Sequence, residues 1–371
     1  MNYRNFSNLI AYFSLNVKKN DHVLIMGTTE IKPLLLELIP ILLNQGAFVD
    51  VDIKDNMIDE MLYHYGSLEQ INKFFNYKIH RLKEFDKILN LMSETNLYFR
   101  NMNSDKMDSF YKGVSEYLRE YSALIEENRL FVSTVLYPTN AYAQKCCLST
   151  VQFQDLFSKV NQLDNDNIIE YYNNMKKFNE DIISELDIIK NFRIIGKNTD
   201  LRFSVEGRRW INGCGKINLP DGEVFTAPIK KSVNGKIAFT YPIIYNGIEI
   251  NDIQLEFLEG KVINYSTSNN EAFHNLLAID EGAGYVGEIG IGTNYSHQEF
   301  IGNIIFDEKI GGTIHLALGA SYPECGELNV SSIHIDMIYD TINQGEVYID
   351  DKLFIKNRKI YNKRGEKFYG L

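Results

Sequence analysis

The stretch from Gly311 to Asp336, G-G-T-I-H-L-A-L-G-A-S-Y-P-E-C-G-E-L-N-V-S-S-I-H-I-D, sets two histidines, an aspartate and a tyrosine between short apolar runs. Gly312 to Gly319 and Ser331 to Ile338 both have strand composition and are bounded by turn-forming residues. His334 and Asp336 are two residues apart, so on a pleated strand their side chains leave the same face. His315 lies in the other run and can approach the same place from a neighbouring strand. Imidazole and carboxylate together suit zinc, iron, cobalt or manganese. Read singly, His315 is also an ordinary core histidine, and His-x-Asp is a common chance match. The metal reading therefore needs further acids upstream, because two-metal hydrolytic sites use several carboxylates.

Around this stretch the chain has the make-up of a globular protein, with 44% hydrophobic and 23% charged residues in 371. That length predicts two domains and an interior large enough to bury a metal site. The formal charge of -11 comes from 38 basic and 49 acidic residues with no long basic run, which argues against nucleic acid as a partner. No apolar stretch reaches membrane-spanning length, and Met1 to Phe6 lacks a basic-then-apolar signal pattern. The expected location is the cytoplasm, without membrane association. Cys146, Cys147, Cys214 and Cys325 form neither a disulfide framework nor a C-x-x-C pair, and they are expected to be reduced. Cys325 is the one that falls beside the proposed site.

Toward the N-terminus, Asp21 to Met26 and Ala47 to Ile53 read as strands flanking a helix over 34–43, with Pro33 at its start and Gly46 beyond its end. The loop Gly27-Thr-Thr-Glu30 carries no G-x-G-x-x-G or lysine-bearing phosphate loop, so this strand-helix-strand unit is not read as nucleotide-binding. Further strands over 88–92 and 130–136, with helices over 56–84 and 105–128, predict an open α/β sheet. The acidic helix over 170–190 is read as a solvated face. After Lys190 the texture changes to short alternating strands and glycine turns, which predicts a second, antiparallel domain with a curved, barrel-like sheet. The expected fold class is therefore α/β: an N-terminal open α/β sheet domain over 1–190, and a C-terminal β-rich, barrel-like catalytic domain over 191–371. Two acids stand out in the second domain. Glu223 follows a Pro/Gly turn in Asn218 to Pro228, and Glu288 sits among glycines and apolar residues in Gly287 to Gly292, where a carboxylate is poorly compensated.

An ordered series of motifs is similar to the thermophilic-type metalloaminopeptidase family. It comprises Val23 to Val51 with its N-Q-G-A, Tyr137 to Gln144, Asn198 to Leu201, Glu206 to Trp210 and Asn218 to Pro228. It continues through Asp280 to Ala283, Val286 to Gly292, Phe306 to Gly319, Tyr322-Pro323 and Ile333 to Asp336. The resemblance implies a site for two divalent ions, zinc, cobalt or manganese, held by Glu223, Glu288, His315, Tyr322, His334 and Asp336. It also implies a homodimer, and peptides with a free N-terminus as substrates.

The function this implies is a metal-dependent aminopeptidase, a hydrolase that cuts the N-terminal peptide bond through a metal-bound water. Two ions would share that water, and one of them would take the substrate amine. Glu288 would bridge the ions or handle the proton, and Tyr322 would stabilise the developing oxyanion. The charge count agrees, since Glu223, Glu288 and Asp336 exceed what one dication needs. Two alternatives remain at this point. His315, His334 and Asp336 alone would suit a non-haem iron ring-cleaving dioxygenase, and an inactive scaffold is the other reading. Lys309, a single basic residue, is read as a structural ion-pair partner.

Overall fold

The computed structural model describes residues 1–97, 104–245, 247–326, 329–342 and 345–368. It comprises two compact units, Met1–Ile169 with Gly215–Leu219, and Glu170–Cys214 with Pro220–Leu371.

In the first unit the strands β1 (His22–Gly27), β2 (Phe48–Ile53), β3 (Lys87–Met92) and β4 (Phe131–Leu136) pair in parallel in the order β2-β1-β3-β4. The two-residue strand β8 (Asn218–Leu219) joins beside β4 from later in the chain. The helices are α1 (Tyr3–Asn8), α2 (Lys32–Asn44), α3 (Asn56–Tyr65), α4 (Leu68–Leu82), α5 (Ser104–Glu126), α6 (Asn140–Lys145) and α7 (Thr150–Val160). Local chemistry sets their ends. Pro33 opens α2, where its missing amide costs nothing, and Gly46 beyond the far end has a φ of 81°. Reciprocal bonds between Ser67 and Gln70 cap α4, and Ser149 with Gln152 does the same for α7. This is the open α/β sheet expected from the sequence.

The second unit is antiparallel. One sheet has the order β14-β13-β10-β6-β5-β18-β19-β20. It is built from β5 (Asn191–Gly196), β6 (Thr199–Ser204), β10 (Asn234–Ala238), β13 (Gln254–Leu258), β14 (Lys261–Ser266), β18 (Gly345–Ile349), β19 (Lys352–Lys356) and β20 (Lys359–Ile360). A second sheet has the order β17-β16-β15-β9-β7, from β7 (Ile211–Gly213), β9 (Glu223–Thr226), β15 (Val286–Gly292), β16 (Ile314–Gly319) and β17 (His334–Tyr339). A hairpin of β11 (Ile243–Tyr245) and β12 (Ile248–Ile250), with α9 (Asn270–Leu277) and α10 (Ile304–Asp307), completes it.

The barrel-like expectation is corrected here. Among the described residues neither sheet closes on itself, and the larger ends in β14 and β20 while the smaller ends in β17 and β7. The apolar faces are buried against each other instead: Phe192, Ile194, Leu201 and Phe203 of the larger sheet share one core with Ile289, Ile314, Leu316 and Met337 of the smaller. Helix α8 (Ile168–Leu186) lies ahead of residue 190 in the chain, yet its Phe178, Ile182 and Leu186 belong to this same core. Among the described residues no helix is long and apolar enough to cross a membrane.

Asp280 secures the chain just ahead of β17. It accepts hydrogen bonds from the Ser332 amide at 2.7 Å, from the hydroxyls of Ser331 and Ser332, and from the Ala283 amide at 2.9 Å. The Ser332 donors lead in holding its carboxyl at about 2, below the ordinary 3.8. A depressed pKa in the folded state gives stability that is complete above the ordinary value and lost as pH falls through the folded one. The difference in unfolding free energy between wild type and Asp280→Asn should therefore be constant from neutral pH down to about 4, then shrink between about 4 and about 2. Urea unfolding across that range checks it, and a gap unchanged by acid would remove Asp280 from this role.

Candidate metal centre

The smaller sheet of the second unit is apolar on one face and polar on the other because its strands alternate. Val224, Ile289, Ile291, Ile314, Leu316, Leu318, Met337 and Tyr339 enter the core. The register sets Glu288 opposite Ala317, Gly290 opposite His315, Glu223 opposite Gly292, Asp336 opposite Ala317 and His334 opposite Gly319. Glu223, Glu288, His315, His334 and Asp336 therefore share the other face. A bulge between Val286 and Glu288 changes the alternation, so that Val286 stays in the core while Glu288 turns to the polar face.

His315 is fully buried, and its Nε2 lies 3.2 Å from both Glu223 Oε2 and Glu288 Oε1. A Cβ on Gly290 would come within 2.0 Å of that Nε2, so only glycine leaves room for the ring. His334 donates from Nδ1 to the Ala320 carbonyl at 2.8 Å, since a carbonyl can only accept. Its Nε2 then faces Asp336 Oδ1 at 3.4 Å and Glu288 Oε2 at 3.9 Å. A ring nitrogen held by a backbone carbonyl, with the other directed at carboxylates, is the usual support of a ligand histidine.

Potential ligand atoms gather in three overlapping groups, each within 4.8 Å: Glu223, Glu288 and His315; Glu288, His334 and Asp336; and Glu308, His315 and Asp336. Glu223 Oε2, Glu288 Oε2 and Asp336 Oδ1 are buried facing these histidine nitrogens without a well-directed hydrogen bond. Leaving such oxygens unsatisfied is costly, and a bound cation is what would satisfy them. The residues present thus fit divalent metal, in nitrogen and oxygen chemistry suited to the first-row ions.

Two neighbours escaped the sequence reading of the site. Lys309, 1% exposed, donates to Glu223 Oε1 and to Glu308 Oε1 at 2.7 Å and lies 3.9 Å from Asp221. It is thus an internal counter-ion held against the centre. Glu308 carried no sequence signal beyond its place in Phe306 to Gly319; only the turn after α10 brings it to the site. Tyr322 is 47% exposed, and its ring packs 5.4 Å from His334 and 5.5 Å from Phe225, centroid to centroid. Cys325 is buried near Glu288 and belongs to none of the ligand groups. Burial, with Glu288 nearby, pushes its thiol up to about 12.

The electrostatics follow from crowding. Burial would raise the Glu223 carboxyl, but Lys309 and His315 outweigh it and hold it at about 2. Burial likewise opposes ionisation of Asp336, and His334 brings it down to about 2. Among the described residues Glu288 has no ammonium partner, and burial together with Asp336 and Glu223 raises it despite His315. Burial pushes Glu308 up to about 8 against the pull of Lys309, with Asp336 and Glu223 adding to the rise. Burial alone would lower His315, yet its bonds to Glu223 and Glu288 hold it well above the usual imidazole range.

Gly290→Ala tests the packing of the centre. The added methyl should displace the His315 ring, lowering metal content in atomic emission analysis and reducing turnover by about 100-fold or more, as ångström-scale misplacement does. The core face of β15 is untouched, so the circular dichroism spectrum should be retained. Full metal occupancy in the variant would mean that His315 does not need its observed position.

The model of the thermophilic metalloprotease family (M29) matches residues 1–350 of this chain. Aminopeptidase 2 of Geobacillus stearothermophilus is 23% identical over 376 residues, covering 93% of this chain and 90% of that protein. Aminopeptidase AmpS of Bacillus subtilis is 20% identical over 385 residues, covering 96% and 93%. Among solved structures, wild-type AmpT from Thermus thermophilus superposes with a TM-score of 0.78 at 18% identity, over 99% of this chain and 98% of that one. The family match over nearly the whole length, on a chain whose histidines and carboxylates converge on one sheet face, establishes that this protein belongs to the M29 metalloproteases and is a hydrolase.

Proposed function

We propose that the chain is a metal-dependent aminopeptidase that releases the N-terminal residue of peptides, with its second unit as the catalytic domain. The observation that carries the two-ion reading is that Glu288 belongs both to the group with Glu223 and His315 and to the group with His334 and Asp336. A carboxylate shared in this way is suited to bridge two cations. Glu223 and His315 would hold one ion, and His334 and Asp336 the other, with Tyr322 beside them. Bound divalent ions would supply Lewis acidity and an activated water for attack on the scissile carbonyl.

The chain's own residues supply the rest. Lys309 occupies one oxygen of Glu223 and leaves Oε2 to face His315 and the centre. Ala320 fixes the His334 ring so that its Nε2 is the free nitrogen. Glu288, poorly compensated beside Asp336 and Glu223, is the carboxylate whose charge bound cations would neutralise most directly. The Tyr322 hydroxyl is a candidate donor to the developing oxyanion, because the ring sits over His334 and is partly open to solvent. Glu223 and Glu288 on the same face favour hydrolysis over the iron dioxygenase reading, which has no use for two further acids.

Metal-stripped protein reloaded separately with zinc, cobalt, manganese or ferrous iron should release the first residue of aminoacyl anilides and short peptides, and His334→Ala should abolish release. At saturation the wild type should bind two ions per chain and Glu223→Gln fewer. One equivalent in both proteins would refute the two-ion reading. Absence of release with every ion would refute the aminopeptidase itself. The homodimer implied by the sequence resemblance predicts sedimentation at twice the 42.9 kDa chain mass, and a monomer at micromolar concentration would contradict it.

A further inference from the structure

The first unit holds a cavity of about 210 Å3, remote in sequence from the metal centre. Leu24 and Met26 of β1, with Phe75 and Leu82 of α4, give it buried apolar walls, and Val114 of α5 adds to them. Protein interiors rarely keep voids larger than a water molecule, because an unfilled space forfeits packing contacts on every side. This one is bounded by two separate apolar clusters. Leu24, Met26 and Leu82 belong to one, and Tyr63, Ile71 and Phe75 to the other.

Its polar side follows from spacing. Asp50, Asp52 and Lys54 are two apart along β2 and its last step, so they share a face. Lys78 and Arg81 are three apart on α4 and share a face as well. Arg81 meets Asp50 and Asp52 at 2.9 Å each, which satisfies one end of this meeting. At the other end Lys54 and Lys78 both line the cavity and are both partly exposed, so a molecule can reach them from solvent. Among the described residues neither lysine forms an ion pair, and the Lys78 ammonium lies 4.3 Å from the centre of the Phe74 ring instead. Asp59 acts on both lysines at longer range, and burial raises its carboxyl. Two ammoniums against that one acid leave a positive charge over. Lys54 also follows the carboxyl end of β2, and the carboxyl ends of parallel strands are where open α/β sheets take ligands.

We propose that this cavity binds a small organic carboxylate, with its apolar chain among Leu24, Met26 and Phe75 and its carboxylate between Lys54 and Lys78. The volume is below the roughly 300 Å3 at which drug-sized sites begin, so it suits one short molecule and not a length of peptide. The apolar walls favour an acid with a hydrocarbon body over an inorganic anion, which would leave them unfilled. The site lies wholly in the first unit, and the inference does not depend on the aminopeptidase reading.

Calorimetry on the zinc-loaded chain tests it with 4-methylpentanoate and 3-phenylpropanoate, each against its amide, and with acetate and inorganic phosphate. At least one of the two acids should bind about 10- to 100-fold more tightly than its amide, the range expected of a charge-assisted bond, and more tightly than acetate or phosphate. Lys54→Gln and Lys78→Gln should each weaken the acid by about 10-fold and leave the amide unchanged. Val114→Phe, which fills the cavity without altering its charge, should abolish binding of both. His334→Ala should bind the acid as the wild type does. Circular dichroism and urea midpoints should show every variant folded, and the two lysine variants keep the test open if Val114→Phe is not. The proposal is overturned if neither acid binds, if acid and amide bind alike, or if phosphate binds as tightly as the acid. Wild-type affinity in both lysine variants overturns it too, as does loss of binding in His334→Ala, which would place the acid at the metal centre.

Discussion

The second unit depends on how it tolerates buried negative charge on one face of a small sheet. His315 is wedged between Glu223 and Glu288 beneath Gly290, and Lys309 meets Glu223 from the other side. Removing ionised groups from water costs several kcal/mol each unless partners are close and well directed. Here some partners are present and others are missing. Lys309 and the histidines compensate part of the charge, while Glu288 Oε2 accepts no hydrogen bond and lies 3.9 Å from His334 Nε2. A core of Ile, Leu and Val on the opposite face supplies the stability that permits this arrangement. The excess of acid is the chemical signature of a site built for cations.

That arrangement also explains the roles of residues that never touch the reacting groups. The bulge before Glu288 turns this side chain out of the core, and the Ala320 carbonyl selects the free nitrogen of His334. Asp280 fixes the serines that lead into β17, and so the start of the strand that carries His334 and Asp336. Each is a backbone or hydrogen-bond device, and each acts through the direction of a ligand rather than through its identity.

The legible parts of the molecule were those in which a local pattern and a tertiary role coincide. Pro33 and Gly46 framed α2, the alternation in Ser331 to Ile338 put His334 and Asp336 on one face, and the motif series pointed to the family. The closure of the second unit was misjudged, because short strands with glycine turns fit a barrel and two facing sheets equally well. The choice rests on long-range pairing: β18 joins β5, and β9 joins β15, across wide stretches of sequence. Glu308 and Lys309 were illegible as site residues for a related reason. Lys309 read only as a structural ion-pair partner and Glu308 carried no reading of its own, and the contacts of Lys309 with Glu223 and Glu308 are what bring both to the centre.

Crystals of the zinc-loaded protein, measured on both sides of the zinc absorption edge, test the central claim most directly. Two anomalous peaks should appear on the polar face of the smaller sheet, one beside Glu223 and His315 and the other beside His334 and Asp336, with Glu288 contacting both. A single peak on that face, or peaks only elsewhere on the protein, would contradict the account.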